Sequence, residues 1–247
     1  CLGPHIPTKY GGGGLDSVTY GILMQELERA DSGIRSCASV QSSLVMYPIW
    51  KFGSEEQREK FLPGLAKGEL IGSFGLTEPN HGSNPNGMEC KITKTDGGYI
   101  LNGAKMWITN SPVCNLAVVW AKNKKGHIVG LIVERGMEGF STPTINEKWS
   151  LRASVTGELV FQDVFIPEEN ILKEAKGLKA ALSCLTSARY GISWGAIGAA
   201  MDCLHSALEY SKERMQFDKP LASFQLTQKK IAEMITEITK AQLLALR

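Results

Sequence analysis

The spacing of apolar residues changes twice along this chain, and that change most constrains its fold. Near the start, Tyr20, Leu23, Met24 and Leu27 recur at helical spacing, which is typical of one face of an amphipathic helix. After Pro167 helical spacing returns, over 175–215 and again from 225 to the end. Between these regions the sequence predicts short strands at 70–76, 89–95, 99–101, 105–109, 116–121, 128–134 and 158–165. Helices, then strands, then helices predict an α+β fold whose centre is an antiparallel barrel or sandwich.

This order divides the chain of 247 residues into three predicted domains. Residues 1–69 would form part of an N-terminal α-domain, residues 70–170 a central β-domain, and residues 171–247 part of a C-terminal helical bundle. A length of this size is enough for one large domain or two modest ones.

Local signals give the expected ends of several elements. Ser17 is expected to cap the first helix, and residues 54–57 (Ser-Glu-Glu-Gln) have the pattern of a capping box. Residues 34–52 are predicted to form a helix that bends or ends near Pro48. The dipeptides Asp96-Gly97 and Asn102-Gly103 predict tight turns between strands.

Composition excludes several classes of protein. The net charge of +2 gives no reason to expect a nucleic-acid partner, and no apolar run is long enough to predict a membrane span. The six cysteines form no Cys-x-x-Cys pair and the four histidines are not clustered, so we expect free thiols and no metal site. The chain starts at Cys1 without a targeting peptide and stops in helical sequence at Arg247, and we expect both ends to be truncated.

Two segments carry the chemistry. Residues 74–84 (Phe-Gly-Leu-Thr-Glu-Pro-Asn-His-Gly-Ser-Asn) end a strand in a polar loop, and Trp107-Ile-Thr-Asn110 ends a later strand. The loop amides and Thr77 could bond the edge of a flat, electron-accepting ring, while Trp107 offers a stacking face. The alternative is two ordinary turns beside a core tryptophan, and the two segments together, in this order, favour the ring.

These segments resemble the flavin-binding signature of the acyl-CoA dehydrogenase family: Phe-Gly-Leu-Thr-Glu-Pro-Asn-x-Gly-Ser at 74–83, then Asn-Gly-x-Lys-x-Trp-Ile-Thr-Asn at 102–110. Residues 31–46, 188–191 and 214–217 are similar to the glutaryl-CoA dehydrogenase branch of that family in particular. The resemblance implies an α-domain, a β-domain and a helical domain. It also implies FAD-dependent α,β-dehydrogenation, with decarboxylation, of glutaryl-CoA or a related acyl-CoA in lysine and tryptophan catabolism. Further implications are transfer of electrons to an electron-transfer flavoprotein, a homotetramer that shares FAD between subunits, and a location in the mitochondrial matrix.

By the same resemblance, the FAD-binding residues are Phe74, Leu76, Thr77, Ser83, Trp107, Ile108 and Thr109, with Arg214 and Gln225 reaching the FAD of a neighbouring subunit. The substrate-binding residues are Arg35, Ser36, Ser39, Ser83, Leu182 and Arg189. Arg35 with its two serines would bind the distal carboxylate of a dicarboxylyl-CoA, because a buried guanidinium needs an anionic partner. Arg35 on a helix surface, or an interhelix ion pair at Arg189, are the alternatives.

The family's general base has no counterpart in this sequence. In the glutaryl-CoA branch it is a glutamate beyond residue 247, and in some relatives it occupies the position of Ala188, which cannot accept a proton. Three residues depart from the pattern: His81 replaces a small residue, Asn84 an aspartate and Asp218 a glycine, and Asp218 is expected to weaken FAD binding. Two other functions therefore stay open. One is another acyl-CoA dehydrogenase or oxidase, and the other is an inactive paralogue that acts as an FAD-binding, acyl-CoA-binding or assembly module.

Overall fold

The computed structural model describes residues 2–247, and the thiol predicted at Cys1 lies outside them. The N-terminal part is helical. The side chain of Asp16 accepts a hydrogen bond from the Thr19 N–H at 2.8 Å, so Asp16 is the cap and the expected cap, Ser17, is the first residue of the helix. The helices are α1 (Ser17–Ala30), α2 (Ser32–Ser39), α3 (Tyr47–Phe52) and α4 (Glu55–Lys67).

A π-helical segment, Val40–Met46, joins α2 to α3 without a break. Pro48 is the second residue of α3, and the helix continues past it to Phe52, so the helix does not end there. The fully buried Gln41 side chain uses the wider turn to bridge three backbone groups. Its amide donates to the carbonyls of Leu65 and Leu70, and its oxygen accepts the Gly72 N–H. The capping box predicted at 54–57 is confirmed at the start of α4.

The centre of the chain is one mixed sheet. Its strands are β1 (Gly72–Gly75), β2 (Lys91–Thr95), β3 (Gly98–Thr109), β4 (Leu116–Lys122), β5 (Ile128–Glu134), β6 (Phe140–Ser141), β7 (Thr156–Pro167) and β8 (Ile171–Leu172). Seven follow the order β6-β7-β3-β2-β4-β5-β8, and β1 pairs with β4. The expectation of an antiparallel sheet is corrected at two pairings, because β1 and β2 each run parallel to β4.

The turn predicted at Asn102-Gly103 is wrong. β3 continues through this dipeptide, and its register with β7 shifts between Leu101 and Gly103. Gly103 has a φ of 135°, a conformation that favours glycine and that lets a bulge replace the turn. The side-chain oxygen of Asn102 accepts the Asp163 N–H of β7 at 2.9 Å, which holds the dipeptide within the sheet.

Both faces of β4 are buried, and its side chains alternate between two cores. Leu116, Val118 and Trp120 pack towards the helices, whereas the small residues Ala117, Val119 and Ala121 pack within the curled sheet. This alternation follows from the period of two in a strand. The sheet therefore carries the helices on one face and a second core on the other.

Two more helices complete the chain: α5 (Gly177–Glu213) and α6 (Gln225–Leu246). A small hairpin of β9 (Met215–Gln216) and β10 (Lys219–Pro220) lies between them. α5 packs closely on α1 through glycines. A Cβ added to Gly198 would lie 2.1 Å from the Gln25 carbonyl oxygen, and one added to Gly21 would lie 2.4 Å from Trp194 Nε1. A side chain at either position would therefore not fit between α1 and α5.

Within residues 2–247, no helix is long and apolar enough to cross a membrane. No group of three or more potential metal ligands occurs in the same part of the chain. The described cysteines, Cys37, Cys90, Cys114, Cys184 and Cys203, all carry free thiols.

The α1–α5 contact gives a first prediction. In a solvent-exposed helix, Gly→Ala stabilises by about 1 kcal/mol. Gly198→Ala should instead lower the free energy of unfolding by about 1–3 kcal/mol, because the new methyl group meets backbone that cannot move aside. Urea unfolding measures the change, and Asp202→Ala, an exposed position on the same helix, is the control. A gain in stability for Gly198→Ala would show that the two helices are not in contact there.

Candidate functional site

The three segments of the chain meet at a cavity of about 410 Å³. The π-helical segment, the loop after β1, the end of β3 and the first half of α5 all contribute side chains to it. The lining residues are Val40, Leu44, Phe74, Leu76, Thr77, Gly82, Ser83, Pro85, Trp107, Ile108, Thr109, Leu182, Leu185 and Arg189. Both motif segments contribute lining residues, from Phe74 in the first to Thr109 in the second, which is 35 residues later. The two segments thus form one wall.

A buried ion pair holds that wall in place. Lys105 of β3 is 0% exposed and Glu78 only 4%, and Lys105 Nζ lies 2.7 Å from Glu78 Oε1. Lys105 also donates to the Leu76 carbonyl at 3.2 Å. The Glu78 carboxylate accepts the backbone N–H groups of Glu89 (2.6 Å) and Cys90 (3.0 Å) as well. The loop after β1 is therefore fixed to β3 and to the start of β2.

The charges of this cluster are compensated. Burial raises the pKa of the Glu78 carboxyl. The hydrogen bond from the Glu89 N–H and the Lys105 ammonium lower this pKa by more, so the net pKa is below the ordinary value of 4.5. Burial raises the pKa of the neighbouring Cys90 thiol to about 11, so this sulfur is an unreactive thiol at neutral pH.

Trp107 is presented to the cavity by an irregular backbone. The register between β3 and β7 shifts between Lys105 and Ile108, and Trp107 has a φ of 61°. Its side chain is 58% exposed, which excludes the alternative of a core tryptophan. The Met106 N–H donates to the Thr77 carbonyl at 2.9 Å, so the tryptophan and the threonine of the two motifs are tied together.

The opposite wall belongs to α5. Leu182 and Leu185 give it an apolar surface, and Arg189 adds a guanidinium. Arg189 is exposed and forms no ion pair with any carboxylate in residues 2–247, so the interhelix pair considered for it is absent there. Ala188 is buried beside it. No residue that lines the cavity is acidic.

Arg35, Ser36 and Ser39 are not among the residues that line the cavity. Arg35 is nearly buried and its Nε pairs with Glu28 of α1, against Gly195 of α5. Glu28 thus supplies the anionic partner for which the sequence analysis invoked a substrate carboxylate. Ser39 is buried at the end of α2, where the π-helical segment begins.

Arg214 and Gln225 also lie away from this cavity, at the hairpin and at the first residue of α6, and both are exposed. The hairpin turn has φ of 52° at Phe217 and 60° at Asp218. These are left-handed conformations that glycine adopts more easily. Phe217 is 86% exposed. The turn places Arg214 on a surface that the chain's own cavity does not use.

Sequence reasoning missed two groups of residues. Val40, Leu44 and Leu185 line the cavity from helices, and a helical apolar pattern does not distinguish a cavity wall from a core. Glu78 and Lys105 lie within the motifs, but no role was predicted for them from the sequence. A lysine between apolar strand residues is a signal of a buried charge, which must be paired.

Comparisons with known proteins support one assignment. Family models for the acyl-CoA dehydrogenase N-terminal, middle and C-terminal domains match residues 1–69, 73–164 and 175–247. The chain belongs to the acyl-CoA dehydrogenase family. It is 42% identical, over 97% of its length, to a mitochondrial isovaleryl-CoA dehydrogenase of Arabidopsis thaliana and equally to a short-chain specific acyl-CoA dehydrogenase of Megasphaera elsdenii.

Among solved structures, a glutaryl-CoA dehydrogenase from Mycobacterium smegmatis in complex with FADH2 matches 99% of the chain with a TM-score of 0.96 and 49% identity. The chain spans between 60% and 65% of the length of these three relatives. Their names give different acyl specificities: isovaleryl, short-chain and glutaryl. Membership of the family therefore does not determine the substrate.

The buried pair gives a second prediction. Glu78→Gln leaves the Lys105 ammonium without a counter-charge and should lower the free energy of unfolding by about 3–5 kcal/mol. Because the folded-state pKa of Glu78 is depressed, its contribution is complete above about pH 4.5 and is lost as pH falls through the lower folded pKa. The difference in stability between the native chain and Glu78→Gln should therefore shrink on acidification.

Urea unfolding between pH 3 and pH 7 measures both effects, at intervals of roughly half a pH unit. The matched control is Glu168→Gln, which removes an exposed pair with Lys94 on the same sheet and should change stability little. Equal losses for the two variants would mean that Glu78 is solvated rather than buried.

Proposed function

We propose that the cavity binds the isoalloxazine ring of FAD and the acyl part of an acyl-CoA, and that the complete protein dehydrogenates this thioester between Cα and Cβ. The observation that carries the proposal is the exposed Trp107, held in a left-handed conformation and tied to Thr77 on the same cavity as Arg189. Packing of a protein core does not account for an exposed indole on a left-handed residue.

The residues present fit the cofactor. Trp107 offers an aromatic face, and the hydroxyls of Thr77, Ser83 and Thr109 lie on the same wall. Nothing lies within 4 Å of a Cβ added at Gly82, so that part of the wall is open. Bound FAD would supply the acceptor for the hydride that leaves Cβ. Arg214 and Gln225, which lie outside the cavity, are proposed to contact the FAD of a second subunit.

The acyl-CoA would lie against α5. Leu182, Leu185 and Leu44 can cover an acyl chain, and Arg189 can pair with a phosphate or carboxylate of the ligand because no protein carboxylate in residues 2–247 occupies it. The cavity has no acidic side chain. The proton acceptor must therefore come from a group other than these lining residues, and a positioned base contributes typically about 10²–10⁴-fold to rate.

The FAD proposal predicts a specific loss at Trp107. Trp107→Ala should raise the dissociation constant for FAD about 3- to 10-fold, because aromatic stacking contributes about 0.5–1.5 kcal/mol. Titration followed by flavin absorbance measures it. Trp149→Ala is the matched control, since that side chain is fully exposed and does not line the cavity. A native chain that binds no flavin at micromolar concentrations would refute the proposal.

For the substrate, we propose a dicarboxylyl-CoA such as glutaryl-CoA, recognised through Arg35. The pair of Arg35 with Glu28 is already neutral. A second carboxylate beside it would add net negative charge, so the ligand must share the guanidinium with Glu28. Removing the charge of Glu28 should therefore strengthen this recognition, and removing Arg35 should abolish it.

These two variants form a prediction. Arg35→Met should weaken binding of glutaryl-CoA by about 10-fold or more while butyryl-CoA binding changes little, and Glu28→Gln should strengthen glutaryl-CoA binding. The flavin absorbance change on adding each acyl-CoA measures affinity. An equal loss for both ligands in Arg35→Met would indicate a structural role for Arg35, and the preference for a dicarboxylate would then be wrong.

The absence of an acidic residue among those lining the cavity favours a second candidate: an FAD-binding or acyl-CoA-binding module, or an assembly subunit, without turnover. Bleaching of the flavin band by acyl-CoA under anaerobic conditions distinguishes the two, because a binding module perturbs the spectrum without reducing the flavin. A homo-oligomer, electron transfer to an electron-transfer flavoprotein and a mitochondrial location are further parts of the leading proposal. They rest on the resemblance.

A further inference from the structure

His81 lies where the two ends of the loop at 81–89 come together, and this loop forms one wall of the cavity. We call the place where the ends meet, at residues 78, 81, 87 and 89, the neck of the loop. The Nε2 of His81 lies 3.1 Å from Glu89 Oε1, and the His81 side chain is only 22% exposed. Because a carboxylate oxygen only accepts, Nε2 is the donor in this bond. Between these two residues the chain leaves the neck and returns to it, so the bond joins the two ends of the loop.

The imidazole also packs directly on Gly87. A Cβ at Gly87 would lie 2.5 Å from His81 Nδ1 and 2.8 Å from Cε1, closer than side-chain atoms approach one another. Gly87 has no positive φ. A side chain at Gly87 would therefore displace the ring above it, and the backbone itself does not call for glycine.

Backbone hydrogen bonds also join residues at the neck. The N–H of Glu78 donates to the His81 carbonyl at 3.2 Å, and the N–H of His81 donates to the Glu78 carbonyl at 3.1 Å. The Glu89 N–H donates to the Glu78 carboxylate. Residues 78, 81, 87 and 89 thus form a neck that has one bond between side chains, one close packing contact, two backbone–backbone hydrogen bonds and one bond from a backbone N–H to a side chain.

The tip of the loop has little packing of its own. Gly82, Ser83 and Asn84 are exposed, and nothing lies within 4 Å of a Cβ at Gly82. Yet Gly82, Ser83 and Pro85 line the cavity. The position of this wall therefore depends on the neck, because loop ends that are held together leave fewer conformations to the residues between them.

We propose that His81 is a positioning residue, which fixes the cavity wall at 82–85 through its bond to Glu89 and its contact with Gly87 and so preorganises the site for its ligand. This rests on the proposed function for the identity of that ligand, FAD. The ordering of the tip itself is a property of the chain alone. A loop fixed before binding loses less entropy when the ligand arrives, and the affinity rises accordingly.

The experiment uses the full chain with four variants. His81→Ala removes the bond and the packing, whereas His81→Gln keeps a donor for Glu89. Glu89→Gln keeps an acceptor, and Gly87→Ala pushes the ring away from below. Hydrogen exchange of the backbone amides of 82–88, without ligand, measures the order of the tip, and titration with FAD measures affinity.

We expect about 10-fold faster exchange at 82–88 and about 10-fold weaker FAD binding in both His81→Ala and Gly87→Ala, with the urea midpoint unchanged. His81→Gln and Glu89→Gln should stay within about 3-fold of the native chain. Adding Gly87→Ala to His81→Ala should cause little further loss, because the two act on one contact.

Unchanged exchange at the tip in His81→Ala would overturn the proposal. So would a drop in the urea midpoint as large as that of Glu78→Gln, since His81 would then act on global stability. If the native chain binds no FAD while exchange responds as expected, the proposed function fails and the positioning role stands.

Discussion

A lysine ammonium buried beneath a loop is the interaction on which the site depends. Lys105 is enclosed by the sheet and has one charged partner, Glu78, which in turn accepts two backbone N–H groups at the start of β2. Such a pair adds little to stability compared with apolar residues, but it tolerates only one arrangement, because any displacement leaves a buried charge unpaired. Thr77 precedes Glu78 and Trp107 lies two residues after Lys105. The pair therefore sets the distance between the two motifs that form the cavity wall.

The sheet and the helices position the rest of the cavity. β4 is buried on both faces and contributes to both cores of the chain. The π-helical segment Val40–Met46 lies against it and presents Val40 and Leu44 to the cavity, while its polar residue Gln41 is bonded to the backbone on either side. Single π turns often mark functional sites. Here the wider turn allows one helix to satisfy a buried amide and line a cavity at the same time.

The sequence allowed good prediction where a local signal coincides with a tertiary one. The strand at 128–134 and the capping box at Ser54 are found as predicted, since alternation and capping act within a few residues. The turn predicted at Asn102-Gly103 is wrong because turn propensity depends only on neighbouring residues. It contains no information about β7, which lies alongside and whose Asp163 bonds to Asn102. Glu28 could not be assigned to Arg35 from spacing, because the chain leaves helical conformation at Asp31 and the two residues meet across that break. On α5, the family resemblance pointed to Leu182 and Arg189, whereas the apolar spacing of the helix alone does not distinguish a cavity wall from a core.

Binding and turnover are separable properties of this site. An aromatic face, hydroxyls, an open loop tip and one unengaged guanidinium are what a flat polar ring and an anionic thioester need in order to bind. None of these groups can accept a proton from a carbon acid at neutral pH, since an indole, a hydroxyl and a guanidinium are all poor bases there. If the cavity binds FAD and an acyl-CoA as proposed, its lining residues can orient both ligands, and the proton acceptor must be another group. Under the proposed function, a spectral change on ligand addition would report occupancy of the cavity, and only reduction of bound flavin by substrate would report catalysis.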